Sequence, residues 1–198
     1  MKSSKNNRLK ALEQAIKDAH DYALEHCDLP LNNMPEYFLG VAIGKHMVKE
    51  FENFNVRFEM SVQQLLEYAE IEVSGDIANR ENGRFDLVLM TKRYQKPAHV
   101  VEIKKGIKVE SMFADILRLA NLCRFSNLGS RLETNYFVTI TAKSEKVIDE
   151  RVAQLQAMMN ENSSLTSVSI SSPKKVLLDS SEDKQIIAAI YEVTYQHD

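Results

Sequence analysis

Along residues 7–26, Leu9, Leu12, Ile16, Ala19 and Ala23 fall on one stripe, with Lys, Glu, Gln and Asp opposite. That period predicts an amphipathic helix. Residues 27–34, with Pro30 and two Asn, read as a connection. A second helix is predicted from Pro35, a favoured first-turn residue, to about residue 52, with Asn33 or Met34 at its cap. Its apolar stripe is Tyr37, Val41, Gly44, Val48 and Phe51, with Glu36, Gly40, Ile43 and Met47 in a line beside it. Residues 55–60 alternate as a strand, and residues 61–70 return to helical spacing through Leu65, Leu66 and Ala69. Residues 71–82 read as a loop, with room for a short strand at 71–73 and a turn signal at Gly75-Asp76.

The stretch from Gly83 to Gly106 predicts two strands, GRFDLVLM and HVVEIKKG, joined by the turn-like TKRYQKPA. A helix follows over 109–125, with Met112, Ile116, Leu119, Ala120 and Cys123 inward and Asp115, Arg118 and Arg124 outward or sideways. Residues 127–133 are a loop, 136–141 (YFVTIT) a central strand, and 144–160 a helix capped by Ser144. Residues 165–171 alternate as a strand, Ser172-Pro173 breaks it, and 176–178 fit a short edge strand. The tail 184–195 alternates as a strand, although IIAAIYE also suits a helix. The pattern predicts a single α/β domain over 1–198, a mixed sheet with helices on both faces.

Composition narrows the class. The chain has 198 residues, 44% hydrophobic and 27% charged, long enough to bury a substantial core. No apolar run approaches the roughly 18 residues of a membrane span. The basic start, MKSSKNNRLK, leads into no apolar stretch of a signal peptide, and Cys27 and Cys123 lie far apart. A reduced cytoplasmic setting is the expectation. The net charge of −3 does not by itself announce a nucleic-acid binder. The five histidines do not cluster at zinc-ligand spacing, His99 reads as structural, and no phosphate-binding glycine loop occurs.

Chemistry concentrates in the predicted hairpin. Strand side chains alternate between faces, so Glu102 and Lys104 share a side while Val101 and Ile103 take the other. On the first strand Asp86, Val88 and Met90 share a face opposite Phe85, Leu87 and Leu89. If the strands are neighbours, two carboxylates and an ammonium converge. Such a group suits Mg²⁺, a hard cation that takes oxygen ligands from one or two carboxylates and keeps several waters. The bland alternative makes Glu102 and Lys104 the solvated face of an edge strand and Asp86 the end of a turn.

An acid, fifteen intervening residues, then acid-x-Lys resembles the signature of the PD-(D/E)XK nuclease superfamily. The predicted order from Pro35 to Thr141 is similar to that family's core of helix, three-stranded meander, helix and strand. The resemblance departs at Phe85, which stands where the family's proline would be. It implies a restriction-endonuclease-like fold and a Mg²⁺- or Mn²⁺-dependent nuclease acting on DNA. It further implies Asp86 and Glu102 as metal ligands, Lys104 at the nucleophilic water, and a third ligand from the preceding helix, best matched by Glu36. Glu36 is equally readable as an acid favoured in a helix first turn. Implied DNA contacts are Lys92, Arg93, Lys96, Lys104, Lys105, Lys108, Arg118, Arg124 and Arg131, a basic rim around the site. Lys105 and Lys108 also suit plain solvation, and Asp115 with Arg118 reads as an i,i+3 surface pair. A homodimer would ease cleavage of both strands. The alternative is a non-catalytic nucleic-acid or protein interaction module that keeps the fold.

Overall fold

The computed structural model describes residues 2–72, 83–162, 165, 167–181 and 184–195. The loop expected at 71–82 lies largely outside them. Helix α1 (Lys5–Cys27) starts where Ser4 Oγ accepts from Asn7 N. After a 3₁₀ turn at Leu31–Asn33 comes α2 (Glu36–Glu50), with Pro35, rather than Asn33 or Met34, at its N-cap. Strand β1 (Phe54–Ser61) runs straight into α3 (Val62–Ala69), which Ser61 caps by accepting from Gln64 N. Strands β2 (Arg84–Thr91) and β3 (Pro97–Lys105) form the expected hairpin. Helix α4 (Val109–Phe125), a 3₁₀ turn at Arg131–Glu133, β4 (Thr134–Thr141) and α5 (Glu145–Glu161) follow. The chain finishes with β5 (Val168–Ile170), β6 (Lys174–Ser181) and β7 (Lys184–Tyr195).

These seven strands make one mixed sheet in the order β1-β2-β3-β4-β7. β5 and β6 lie end to end along the far edge of β7. Only β3 and β4 are parallel, and the connection between them carries α4, as a parallel crossover requires. The tail 184–195 is a strand, settled by pairing with β4 on one side and β6 on the other. The helical alternative for IIAAIYE disappears, because both faces of that strand are buried from Ile186 to Val193.

Two apolar cores flank the sheet. Helices α1 and α2 close one face over Leu87, Leu89, Val101, Ile103 and Val138. Helices α3, α4 and α5 close the other over Val88, Met90, Val100, Phe137 and Tyr191. Phe85 joins this second core rather than following Leu87 and Leu89, so the alternation predicted for β2 fails at its first residues. Helix α2 also sits rotated from the predicted stripe. Leu39, Gly40, Ile43, Gly44 and Met47 are buried, while Tyr37 is 60% exposed. The two glycines explain the rotation, because without side chains they let the helix backbone settle onto the sheet.

A pair of alanine substitutions tests that contact. A Cβ at Gly40 would meet Ile103 at an ordinary 3.5 Å, so Gly40→Ala should raise stability by up to about 1 kcal/mol through helix propensity. A Cβ at Gly44 would lie 2.7 Å from the Phe58 ring and 3.2 Å from Leu87. Overpacking of this kind costs about 1–3 kcal/mol, so Gly44→Ala should lower stability in a urea titration.

Candidate active site

Strand β3 changes partners halfway. Its first half pairs with β2 as far as Leu87 opposite Val101, and its second half, Val101 to Lys105, pairs with β4. Buried backbone N–H groups need acceptors, so each unpaired stretch raises the question of what replaces the missing strand. On the β4 side Val100 N donates to Asn135 Oδ1 at 2.7 Å. On the β2 side Ile103 N donates to Asp86 Oδ2 at 2.7 Å, and Lys105 N donates to Glu36 Oε1 at 2.6 Å. Two acids thus act as surrogate strand partners, each keeping a second oxygen. Glu36 reaches this point from the first turn of α2, whose N-terminus abuts the end of β3.

Continuing the β2–β3 register places Asp86 opposite Glu102, and their carboxyl groups are within hydrogen-bonding reach. Glu102 is only 2% exposed. Burial lifts its pKa well above the ordinary carboxylate value; Arg118 opposes that shift, while the charges of Asp86 and Asp115 add to it. Burial also raises Asp86, against the pull of the Ile103 N–H. Opposite Asp86 on β1, Glu59 holds a left-handed φ of 50°, a strained conformation for a residue with a side chain. Its charge raises Asp86 further.

Lys104 lies on the same face as Glu102 and is 32% exposed at its side chain. Its Nζ sits 3.1 Å from Asp115 Oδ2. Burial pulls its pKa down, but Asp115, Glu36 and Asp86 outweigh that effect and the net shift is upward. Lys104 is therefore an ammonium at neutral pH, able to donate hydrogen bonds and unable to act as a base.

Helix α4 supplies two residues that the sequence pattern assigned to the surface. Asp115 is buried, and it bridges Lys104 to Arg118, whose Nη2 lies 2.9 Å from Asp115 Oδ1. The i,i+3 pairing is as predicted, but it faces the acids and not solvent. Arg118 Nη2 also approaches Glu102 Oε1 to 2.7 Å without hydrogen-bond alignment, leaving that buried oxygen without a hydrogen bond. Arg118 Nη1 donates to the Arg84 carbonyl at 3.1 Å, and the guanidinium lies 5.6 Å from the Phe85 ring centre. Phe85, at the position of the resembled family's proline, is its platform. The signal that could have found this pair was Lys104, a cation needing a carboxylate on the facing helix.

The candidate metal ligands are brought together unevenly. Asp86 and Glu102 adjoin, and Glu36 flanks them through Lys105. Among the described residues no three His, Cys, Asp or Glu side chains form a metal-holding cluster. Two oxygen-ligand acids with raised proton affinity and an unbonded buried oxygen fit a hard divalent cation, which needs no more than one or two protein carboxylates.

The basic rim divides. Lys105, whose backbone N–H meets Glu36, and Lys108, at the start of α4, are exposed. Lys92 and Arg93 sit at the hairpin tip, roughly 20 Å along β2 from Asp86 at about 3.3 Å per residue, and so do not rim the acids. Arg131 lines the same hollow as Lys92, Arg93 and Tyr94. Lys96 pairs with Glu70 at 2.7 Å, Arg124 lies over Phe125, and Arg118 points inward. A groove of about 650 Å³ between α1 and α2 is lined by Tyr22, Tyr37, Phe38 and Val41, on the face of the sheet opposite α4. His99 is structural, as expected: its Nδ1–H donates to Thr134 O at 2.7 Å, and burial lowers its pKa to about 3. Among the described residues no helix is long and apolar enough to cross a membrane.

Compared with known proteins, the chain matches no family model, no curated sequence and no solved structure.

The raised pKa of Glu102 has a measurable sign. The folded protein binds this proton more tightly than the unfolded chain, so the stabilisation is complete below the ordinary value of 4.5. It is lost as pH rises through the folded value. Glu102→Gln removes the dependence, and denaturation between about pH 5 and 8 should show the variant gaining on the wild type as pH rises. A pH-independent gap would contradict a buried ionising Glu102.

Proposed function

We propose that the protein is a Mg²⁺- or Mn²⁺-dependent nuclease that hydrolyses DNA phosphodiester bonds, with a restriction-endonuclease-like core. The observation that carries this reading is the meeting of Asp86 with Glu102 at the point where β2 leaves β3, with Lys104 on the same face. With α3 set aside as an insertion between β1 and β2, the order α2, β1-β2-β3, α4, β4 is similar to that of the resembled core and supports the fold reading.

In this reading Asp86 and Glu102 hold the ion, and Glu36 flanks it with its free oxygen. Such an ion, when bound, would supply Lewis-acid polarisation of the scissile phosphate and activation of the attacking water. Lys104, kept protonated and tethered by Asp115, orients that water as a donor and offsets the charge that develops on phosphorus. Lys105 and Lys108 meet phosphates next to the site, and Lys92, Arg93 and Arg131 meet the backbone several nucleotides away. Binding through these cations would weaken steeply with salt. A homodimer would present two such sites to a duplex.

A second reading also has a specific observation behind it. Glu102 already faces Arg118, and Lys104 already faces Asp115, so the charges are balanced from within. A non-catalytic module that binds nucleic acid or protein would be held together by such a cluster.

Cleavage of mixed single- and double-stranded DNA by the purified protein with Mg²⁺ or Mn²⁺ separates the two. The nuclease reading expects activity that EDTA abolishes, that Lys104→Ala lowers about a hundredfold or more, and that Asp86→Asn removes. Activity surviving in Lys104→Ala would reject the assignment of this site. Absence of cleavage with every DNA tried would favour the interaction module.

A further inference from the structure

Arg118 is more firmly placed than a surface arginine on a helix has reason to be. Its guanidinium touches Asp115, the Arg84 carbonyl and the Phe85 ring, and one nitrogen lies 2.7 Å from Glu102 Oε1. The last contact is close yet poorly aligned for a hydrogen bond, whereas the other two polar contacts are hydrogen bonds. Close range without alignment is how a charge is placed to neutralise another charge rather than to anchor it. The oxygen it faces is the buried one that an incoming cation would need.

We infer that Arg118 is the resident counter-ion of the acidic pair, and that a divalent cation must displace it from Glu102 to bind. This inference rests on the metal-dependent reading above. The same Nη2 that faces Glu102 donates to Asp115. A guanidinium turned away from Glu102 about that bond, with its Arg84 contact loosened, therefore keeps a carboxylate partner and stays beside the site. Displacement reduces the apparent metal affinity by the fraction of molecules in which Glu102 is free. Metal loading would then be favoured when another anion, such as a substrate phosphate, receives the released guanidinium.

The test is Mn²⁺ binding to the full chain without DNA, followed by calorimetry and by the paramagnetic signal of free Mn²⁺. Arg118→Gln and Lys104→Gln remove one positive charge each, but only Arg118 touches Glu102. The inference expects Arg118→Gln to bind Mn²⁺ about tenfold or more tightly than the wild type, as for a competitor that leaves the site free in one molecule in ten. Lys104→Gln should gain far less. Arg118→Lys, which keeps the charge but loses the planar fork, serves if Arg118→Gln fails to fold, and should also bind more tightly than the wild type. Equal gains in Arg118→Gln and Lys104→Gln would reduce the effect to net charge and overturn the exchange. Wild-type binding that Arg118 substitution leaves unchanged or weakens would overturn the exchange alone. No Mn²⁺ binding by wild type or folded Arg118 variants would overturn both the exchange and the metal-dependent reading.

Discussion

Strand β3 cannot be paired on both sides along its whole length, and the site follows from that constraint. Antiparallel partner β2 serves it up to Val101, and parallel partner β4 serves it from Val101 onward. Each handover leaves backbone donors without a strand partner, and where such a donor is buried a missing hydrogen bond costs about 1–3 kcal/mol. Asn135 repairs one side with an amide, while Asp86 and Glu36 repair the other with carboxylates. The chemical choice differs because the two repairs face different surroundings. Asn135 is closed in, with its amide also donating to Leu132 O, whereas Asp86 and Glu36 are less buried and serve a strand end that runs out to exposed Lys105.

Acids gathered this way carry an electrostatic cost that the rest of the site answers. A carboxylate as buried as Glu102 stays ionised only beside a partner or a bound cation, and otherwise loses its charge by protonation. Helix α4 supplies the partner. One side of it, through Met112, Ile116 and Leu119, closes the core, and Asp115 and Arg118 lean over the acids. Gly106 makes this placement feasible, since its φ of 85° turns the chain out of β3 and its N–H donates to Ile140 O at 2.7 Å. The helix is thereby fixed directly over the strand whose charges it balances.

The chain of contacts from Glu102 through Arg118 and Asp115 to Lys104 ties the charge balance of the site to fold stability. Removing any one member leaves an unbalanced charge for its neighbours, so variants here are read best through several observables at once. Lys104 illustrates the division of labour. Its ammonium is maintained by Asp115 on α4, while its position next to the acids is set by the pleat of β3. The basic residues of the hairpin tip lie apart from this group, lining a hollow with Arg131.

Most of the architecture could be read from the chain because its segments have clean periods. The helix over 109–125 and the strands at 84–91, 97–105 and 134–141 are carried by local apolar spacing. The same alternation put Glu102 and Lys104 on one face, and the spacing to Asp86 singled out the hairpin as the candidate site. Local spacing could not decide what faces that hairpin. Whether Asp115 and Arg118 look at solvent or at Glu102 depends on how α4 lies across the sheet, which packing of distant residues sets. The rotation of α2 depended likewise on Gly40 and Gly44 meeting strands that are remote in sequence. The partner change in β3 was equally hidden, because hydrogen-bond pairing is a property of three strands together. Sequence alone therefore determined the elements and the charged residues on one strand face; tertiary packing decided which charges neutralise one another, because Coulomb and hydrogen-bond energies depend on distances that no single segment contains.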